Sequence, residues 1–267
     1  MNPEAARTET YWWVHGTSAN DVWLVGEKGR ITHWDGAAFR EETPITTATL
    51  FGVMAFSPTD VWAVGGTPDS TTGPNDVVLH FDGTSWKEET LPEKKGAAMF
   101  KVWGSAADDL YVVGEAGIVW HRANGAFVRE AQGVAMNRLT TVAGCSKDQV
   151  FAVGGREILS SDGKGTWTRS DMLLVNDVNG VACGNVNGKA AAVIVGGGSL
   201  KLRLVDGKWV DDFGSKPLID LHGAWVDETG ALWGVGGQFA AGAKAGITRN
   251  GTVARYGPGT VSGAIDL

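Results

Sequence analysis

The 267-residue chain is short of the residues that most often advertise chemistry or compartment. It has 2 cysteines, 5 histidines and 3 tyrosines, too few for a dense disulfide framework or a family of Cys/His metal centres. Its 8 prolines accompany no capped apolar stretch of period 3.6, so helices are not expected. No apolar run approaches the roughly 18 residues of a membrane-spanning helix. The opening Met1-Asn2-Pro3-Glu4-Ala5-Ala6-Arg7 lacks the apolar core of a secretory signal. It reads either as a cytosolic start or as the mature or trimmed end of an exported chain. Positive charge is scarce as well. Lys and Arg number 23 against 30 Asp and Glu, a net charge of −7, and the basic residues are scattered. That excludes nucleic acid, which is held chiefly by phosphate neutralisation. The one basic pair, Lys94-Lys95, sits among Glu88, Glu89 and Glu93 and reads as a solvated loop.

What the chain has instead is glycine, 39 residues of it, and a repeat. Val-Gly recurs at Val25-Gly26, Val64-Gly65, Val113-Gly114, Val153-Gly154, Val195-Gly196 and Val235-Gly236, in steps of 39, 49, 40, 42 and 40 residues. A period of about 40–45 with several short apolar runs is that of a four-stranded propeller blade. Two residues before each valine stand Trp23, Trp62, Tyr111, Phe151, Val193 and Trp233. Further on come Asp35-Gly36, Asp82-Gly83, Asn124-Gly125, Asp162-Gly163, Asp206-Gly207 and Asn250-Gly251, read as two-residue hairpin turns. A bulky residue then follows at Phe39, Trp86, Phe127, Trp167 and Trp209, with Val253 or Tyr256 in the sixth unit. The second strand, as in Asp60-Val61-Trp62-Ala63-Val64, is apolar on both faces, as expected of a sheet packed between two others. The glycine after each valine is expected to supply a backbone conformation barred to other residues.

The expected fold is therefore all-β: a six-bladed β-propeller of four-stranded antiparallel blades in a single domain, 1–267. Repeats run over about 10–44, 45–93, 94–134, 135–173, 174–214 and 215–257. Residues 258–267 resemble the start of the last unit, and Arg7-Thr8-Glu9-Thr10 echoes Arg40-Glu41-Glu42-Thr43. The two termini are expected to complete one shared blade; the alternative is a frayed tail.

Cys145 and Cys183 occupy nearly the same place in adjacent units. Equivalent strands of neighbouring blades stand side by side, so a disulfide is one reading and two buried thiols the other. A disulfide would point to an oxidising compartment.

The unit Leu50-Phe51-Gly52-Val53 … Asp60-Val61-Trp62-Ala63-Val64-Gly65-Gly66 … His80-Phe81-Asp82-Gly83-Thr84-Ser85-Trp86 resembles bacterial propeller repeats of the kelch-like and Asp-box (sialidase-like) kind. Four units carry the Val-Gly-Gly that also marks kelch repeats. Ser160-Ser161-Asp162-Gly163-Lys164-Gly165-Thr166-Trp167 approaches an Asp-box, with Lys164 where that motif has glycine. The resemblance implies a secreted or surface-anchored bacterial protein with a binding role. A sialidase would also need an arginine triad and a tyrosine nucleophile. Tyr111 stands in the buried aromatic column, Tyr11 and Tyr256 fall in terminal strands, and no matching arginine motif is present.

The carboxylates of the Asp-Gly pairs read as turn formers, and Asp21, Asp60 and Asp109 as partners of turn amides. His33, His80 and His121 recur with the repeat, which is not the spacing of a metal site; no cofactor and no metal are expected. No Gly-x-Ser-x-Gly is present. The column after the first-strand apolar residue, His15, Met54, Trp103, Ala143, Ala182 and Trp225, is expected to face the axis, either plugging a narrow channel or lining an apolar or sugar-stacking pocket. Insertions at Thr67–Asn75 and Gln238–Lys244 mark one rim as the partner surface. Candidate binding residues are Phe239, Gln238, Asp69, Asn75, Trp103, Trp225 and His15. The reading is a non-enzymatic scaffold binding a protein or glycan in an extracytoplasmic assembly. The alternatives are a glycan-active hydrolase or lyase at the channel mouth, or a Trp-rich lectin.

Overall fold

A computed structural model describes residues 10–211, 218–238 and 250–257. Among them there is no α-helix; two single 3-10 turns, Glu27–Gly29 and Glu115–Gly117, interrupt a succession of strands. The chain divides into two compact units, residues 1–129 and 130–267.

The first unit holds three sheets. Blade one is β1 (Tyr11–Ser18), β2 (Asp21–Gly26), β3 (Ile31–Trp34) and β4 (Phe39–Glu41). Blade two is β5 (Thr49–Ser57), β6 (Asp60–Gly66), β7 (Val77–Phe81) and β8 (Trp86–Glu88). Blade three is β9 (Met99–Ala106), β10 (Asp109–Gly114), β11 (Val119–Ala123) and β12 (Ala126–Glu130). In the second unit, blade four is β13 (Thr141–Ser146), β14 (Gln149–Gly154), β15 (Glu157–Ser161) and β16 (Trp167–Arg169). Blade five is β17 (Val178–Val186), β18 (Lys189–Gly196), β19 (Lys201–Val205) and β20 (Lys208–Asp211). Blade six has three strands among the described residues: β21 (Leu221–Val226), β22 (Leu232–Gln238) and β23 (Asn250–Tyr256). Every sheet is an antiparallel meander in chain order. The expected closing segment, 258–267, lies outside the described residues.

Within each unit the first strands of successive blades adjoin, β1 beside β5 and β5 beside β9, then β13 beside β17 and β17 beside β21. The second strands are the most buried; Val61 to Gly66 of β6 are all buried. Between blades the core is aromatic. Trp23 meets Trp86 at 5.7 Å, Trp62 meets Phe127 at 6.2 Å and Phe151 meets Trp209 at 5.1 Å. In these three blades the column aromatic packs on the outer-strand aromatic of the following blade.

The local chemistry of the repeat differs from the sequence expectation in three ways. First, none of the six Val-Gly glycines has positive φ; Gly26 and Gly114 are extended, at −163° and −160°. They are needed for close approach. A Cβ on Gly26, Gly65, Gly114, Gly154, Gly196 or Gly236 would overlap the carbonyl oxygen of Thr10, Thr49, Ala98, Arg138, Asp177 or Asp220, where the chain enters the same blade.

Second, only Asn124-Gly125 (φ 52° and 80°) and Asp206-Gly207 (48° and 76°) have positive φ at both turn positions. The loops at Asp35, Asp82 and Asp162 are longer, bridging Trp34 to Phe39, Phe81 to Trp86 and Ser161 to Trp167. There the aspartate itself organises the turn. Asp35 Oδ1 accepts from the amides of Ala37 and Ala38 at 2.9 and 2.8 Å, and Asp82 Oδ1 from those of Thr84 and Ser85 at 3.0 Å each. Asn250-Gly251 is no turn at all; it opens β23 opposite Gln238 and Gly237.

Third, Val253 and Tyr256 belong to that third strand and not to a fourth.

Candidate functional site

The strand order places two sets of segments at one rim of each unit: the loops between second and third strands, and the connectors from each outer strand to the next first strand. In the first unit the 67–76 insertion is locked to the 89–98 connector. Asn75 Oδ1 accepts from Thr67 N at 2.8 Å, while its Nδ2 donates to Ser70 O at 2.7 Å and Gly96 O at 3.1 Å. Buried Asp76 accepts through Oδ2 from Lys95 N at 2.9 Å and Gly96 N at 2.6 Å. Glu115 spans the join, receiving Asp69 N at 2.9 Å on one oxygen and Ala98 N at 2.9 Å on the other. Asn75 therefore spends its polar atoms on shaping the loop. Asp69 is exposed at its tip with φ of 57°.

Sequence reasoning passed over Glu115 and its counterparts. Glu27 accepts from Thr10 N at 3.1 Å, and Glu157, 3% exposed, from Met136 N and Asn137 N at 3.0 and 3.1 Å. The available signal was Val-Gly-Glu at Val25-Gly26-Glu27 and Val113-Gly114-Glu115.

At the second unit's rim, Gly197 N donates to Asp177 O at 3.0 Å and Gly198 N to Asp220 Oδ1 at 2.8 Å. On this fixed backbone stand exposed aliphatic side chains. Met136 is 65% exposed, Leu173 90%, Val175 64% and Leu218 61%, and all lie in the connectors leading to β13, β17 and β21. Phe239 lies outside the described residues, and Gln238 closes β22 at their border.

The recurrent histidines have carboxylate partners. His33 Nε2 lies 2.7 Å from Asp21 Oδ1, His80 Nε2 3.1 Å from Asp60 Oδ1 and His121 Nε2 2.7 Å from Asp109 Oδ1. Each imidazole stacks on the column aromatic, with centroids 3.9 Å from Trp23, 4.1 Å from Trp62 and 4.0 Å from Tyr111. Trp23 and Trp62 donate their indole N–H to the same aspartates. These three aspartates thus bind side chains of their own blade, a correction to the turn-amide reading. Burial raises the Asp21 carboxyl, but hydrogen bonds from Thr17, His33 and Trp23 outweigh it and hold the group below the usual carboxylate range. Thr17 and Ser105 donate to Asp21 and Asp109. The carboxylate lies between hydroxyl and imidazole, so no base receives the hydroxyl proton; a nucleophilic triad has the imidazole in the middle. Among the described residues no three of His, Cys, Asp and Glu are placed to hold a metal.

The first-strand column does not present a uniform lining. His15 Nδ1 accepts from Ala55 N of the next blade at 3.1 Å, and burial lowers its basicity against the opposing charge of Asp21. Trp103 is half-buried at 6.4 Å from Tyr111, and Trp225 is 61% exposed at 6.3 Å from Trp233. Two residues before Trp103 stands Lys101, also passed over by sequence reasoning. Its Nζ lies 3.2 Å from the centroid of Trp13 and donates to Phe51 O at 3.3 Å, and burial lowers its pKa to about 7. In the second unit Cys145 of β13 and Cys183 of β17 form a disulfide, with Cα atoms 4.8 Å apart.

No family model and no curated protein sequence matches the chain. Solved structures do. A catalytically inactive virginiamycin B lyase from Staphylococcus aureus, with quinupristin, aligns with a TM-score of 0.70 at 14% identity, over 86% of this chain and 79% of that one. YCF48 bound to D1 peptide aligns with a TM-score of 0.63 at 14% identity, over 87% and 76%. YCF48 from Cyanidioschyzon merolae gives 0.51 at 14% identity, over 86% and 94%. The fold is a six-bladed β-propeller. At this identity the likeness carries architecture alone.

Proposed function

We propose that this propeller is a binding module that recognises a segment of a partner protein through the rim of its second unit. The observation that carries the reading is the row of exposed aliphatic side chains, Met136, Leu173, Val175 and Leu218, on successive connectors. Aliphatic groups on a hydrogen-bonded backbone suit protein recognition, whereas sugars call for aromatic platforms. The exposed Trp225 stands near the end of first strand β21 and not on a connector. The likeness to YCF48 bound to a peptide supports the same reading. The disulfide fits an oxidising, extracytoplasmic compartment, and the Val-Gly-Gly units and the Asp162 hairpin keep a kelch-like or Asp-box kinship within the proposal.

The likeness to a lyase supports a second reading, an enzyme. It needs acids and bases converging at one place, whereas the His–Asp pairs of the first unit stand one to a blade.

A photo-crosslinking residue placed at 173 or 218 in cells tests the proposal. The expected result is one shared protein adduct from both sites and none from a control at exposed Lys164, in the hairpin between β15 and β16. Equal labelling from all three positions would sink the rim assignment.

A further inference from the structure

The methionines of the chain are Met1, Met54, Met99, Met136 and Met172. Met1 lies outside the described residues, Met99 is fully buried, and Met54 and Met172 are partly buried. Met136 stands out in solvent, 65% exposed. It is also the one sulfur-bearing member of the row of exposed side chains on the second unit's connectors.

The backbone enforces that exposure. Ala131 O accepts from Val134 N and Ala135 N at 3.0 Å each, closing a turn just ahead of Met136. Met136 N and Asn137 N then both donate to Oε2 of Glu157, at 3.0 and 3.1 Å. Glu157 is buried, and its other oxygen accepts from Arg169 at 3.0 Å. The main chain under Met136 is thus clasped, and the side chain cannot retreat through a local shift. A buried carboxylate makes the same clasp in the first unit, where Asp76 Oδ2 accepts from Lys95 N and Gly96 N. The side chain presented there is Lys95, tied to Glu93 at 2.7 Å. The second unit presents a thioether instead.

A thioether is soft and apolar and suits an aliphatic contact surface. It is also open to two-electron oxidation. Peroxide transfers one oxygen atom to the sulfur: the S–O bond forms as the O–O bond breaks, sulfur is oxidised, and the peroxide is reduced and leaves as water. Both cysteines are already joined as a disulfide, so no thiol competes for the oxidant. The sulfoxide is polar, and an aliphatic partner closing over it would bury its oxygen without a donor, which is unfavourable.

We propose that Met136 is an oxidation site that weakens partner binding, its thioether converted to the sulfoxide by a peroxide-class oxidant. The inference rests on the rim reading and adds a means of regulating it.

The test uses the full chain with a photo-crosslinking residue at 173, either untreated or exposed to hydrogen peroxide that catalase then removes. Peptide mass mapping should find Met136 oxidised about tenfold faster than Met54, Met99 and Met172. Illuminated in cell extract, the oxidised chain should give the shared adduct in about tenfold lower yield. In Met136→Leu, whatever its own yield, peroxide should change nothing. Met136→Gln, a lasting polar stand-in, should give the low yield without peroxide. Absence of the shared adduct from the untreated chain defeats the rim reading and this inference with it. With the adduct present, four results overturn the oxidation site alone. These are slow oxidation of Met136, a yield that peroxide leaves unchanged, an equal loss in Met136→Leu, or full yield from Met136→Gln.

Discussion

Lys101 reaches the face of Trp13 and the carbonyl of Phe51, and among the described residues it has no acidic partner. The unfolded chain keeps this proton to about pH 10, whereas the folded chain releases it near 7. Its contribution to stability therefore rises with pH between those values. His15 acts in the same sense lower down: its folded pKa is depressed, so stability is lost as pH falls through the histidine range. Asp21 adds to the loss when pH drops below the usual carboxylate value. Urea melts at pH 4, 6, 7 and 9 should show stability climbing throughout. Lys101→Met is expected to flatten the alkaline part of that slope and to stabilise at pH 7 by on the order of 1–4 kcal/mol. A steeper slope in the variant would refute the assignment. The Val-Gly glycines make a separate prediction. Gly65→Ala pushes a methyl into Thr49 O and should cost about 1–3 kcal/mol. Gly251→Ala, with open space around it, should stay within about 0.5 kcal/mol in the same assay.

The first strand of every blade is an edge strand, with a row of backbone groups that its own sheet leaves unpaired. Neighbouring blades supply partners from side chains. His15 serves Ala55, Lys101 serves Phe51, Thr141 donates to Asn179 O at 2.9 Å, and Asn179 Nδ2 donates to Leu221 O at 2.9 Å. The disulfide is the covalent member of this series. It closes a loop of 38 residues, which in the chain-entropy view stabilises by about 4 kcal/mol. Replacing Cys145 and Cys183 together by serine should lower the guanidinium midpoint by an equivalent of about 2–4 kcal/mol. Wild type with reductant should match the variant, and no difference between oxidised and reduced wild type would remove the bridge from the stability account. At this scale the sequence was only partly legible. The pairing of Cys145 with Cys183 rested on equal positions in adjacent repeats, but nothing in composition told that Asn179 or Lys101 would serve the next blade. Those contacts depend on stagger between sheets, which no single-strand pattern encodes.

At the level of the whole chain, Val-Gly spacing and the aromatic column were enough to read six blades and their strands, because both features report packing repeated in every period. Individual functional residues were harder. Asn75 and Asp69 were chosen for standing in an insertion, yet Asn75 is consumed by the insertion's own backbone. Val193 was written into the column without remark, although the departure from aromatic to valine opens a hollow that Lys201 and Gly234 also line. A deviation within a repeat carried more information than an addition to it. Blade six, three-stranded among the described residues, leaves the closing role of 258–267 to experiment. If closure contributes about 2 kcal/mol, deleting those residues should lower the melting temperature by roughly 4–8 °C; an unchanged transition would leave the frayed tail as the answer.

Blade five has unlike neighbours. A covalent bolt fixes it to blade four through Cys145 and Cys183, while toward blade six it faces a hollow. With the bolt cut, only packing and hydrogen bonds such as that from Thr141 to Asn179 O join blade five to blade four, so amide exchange in the reduced chain should quicken first in β13 and β17.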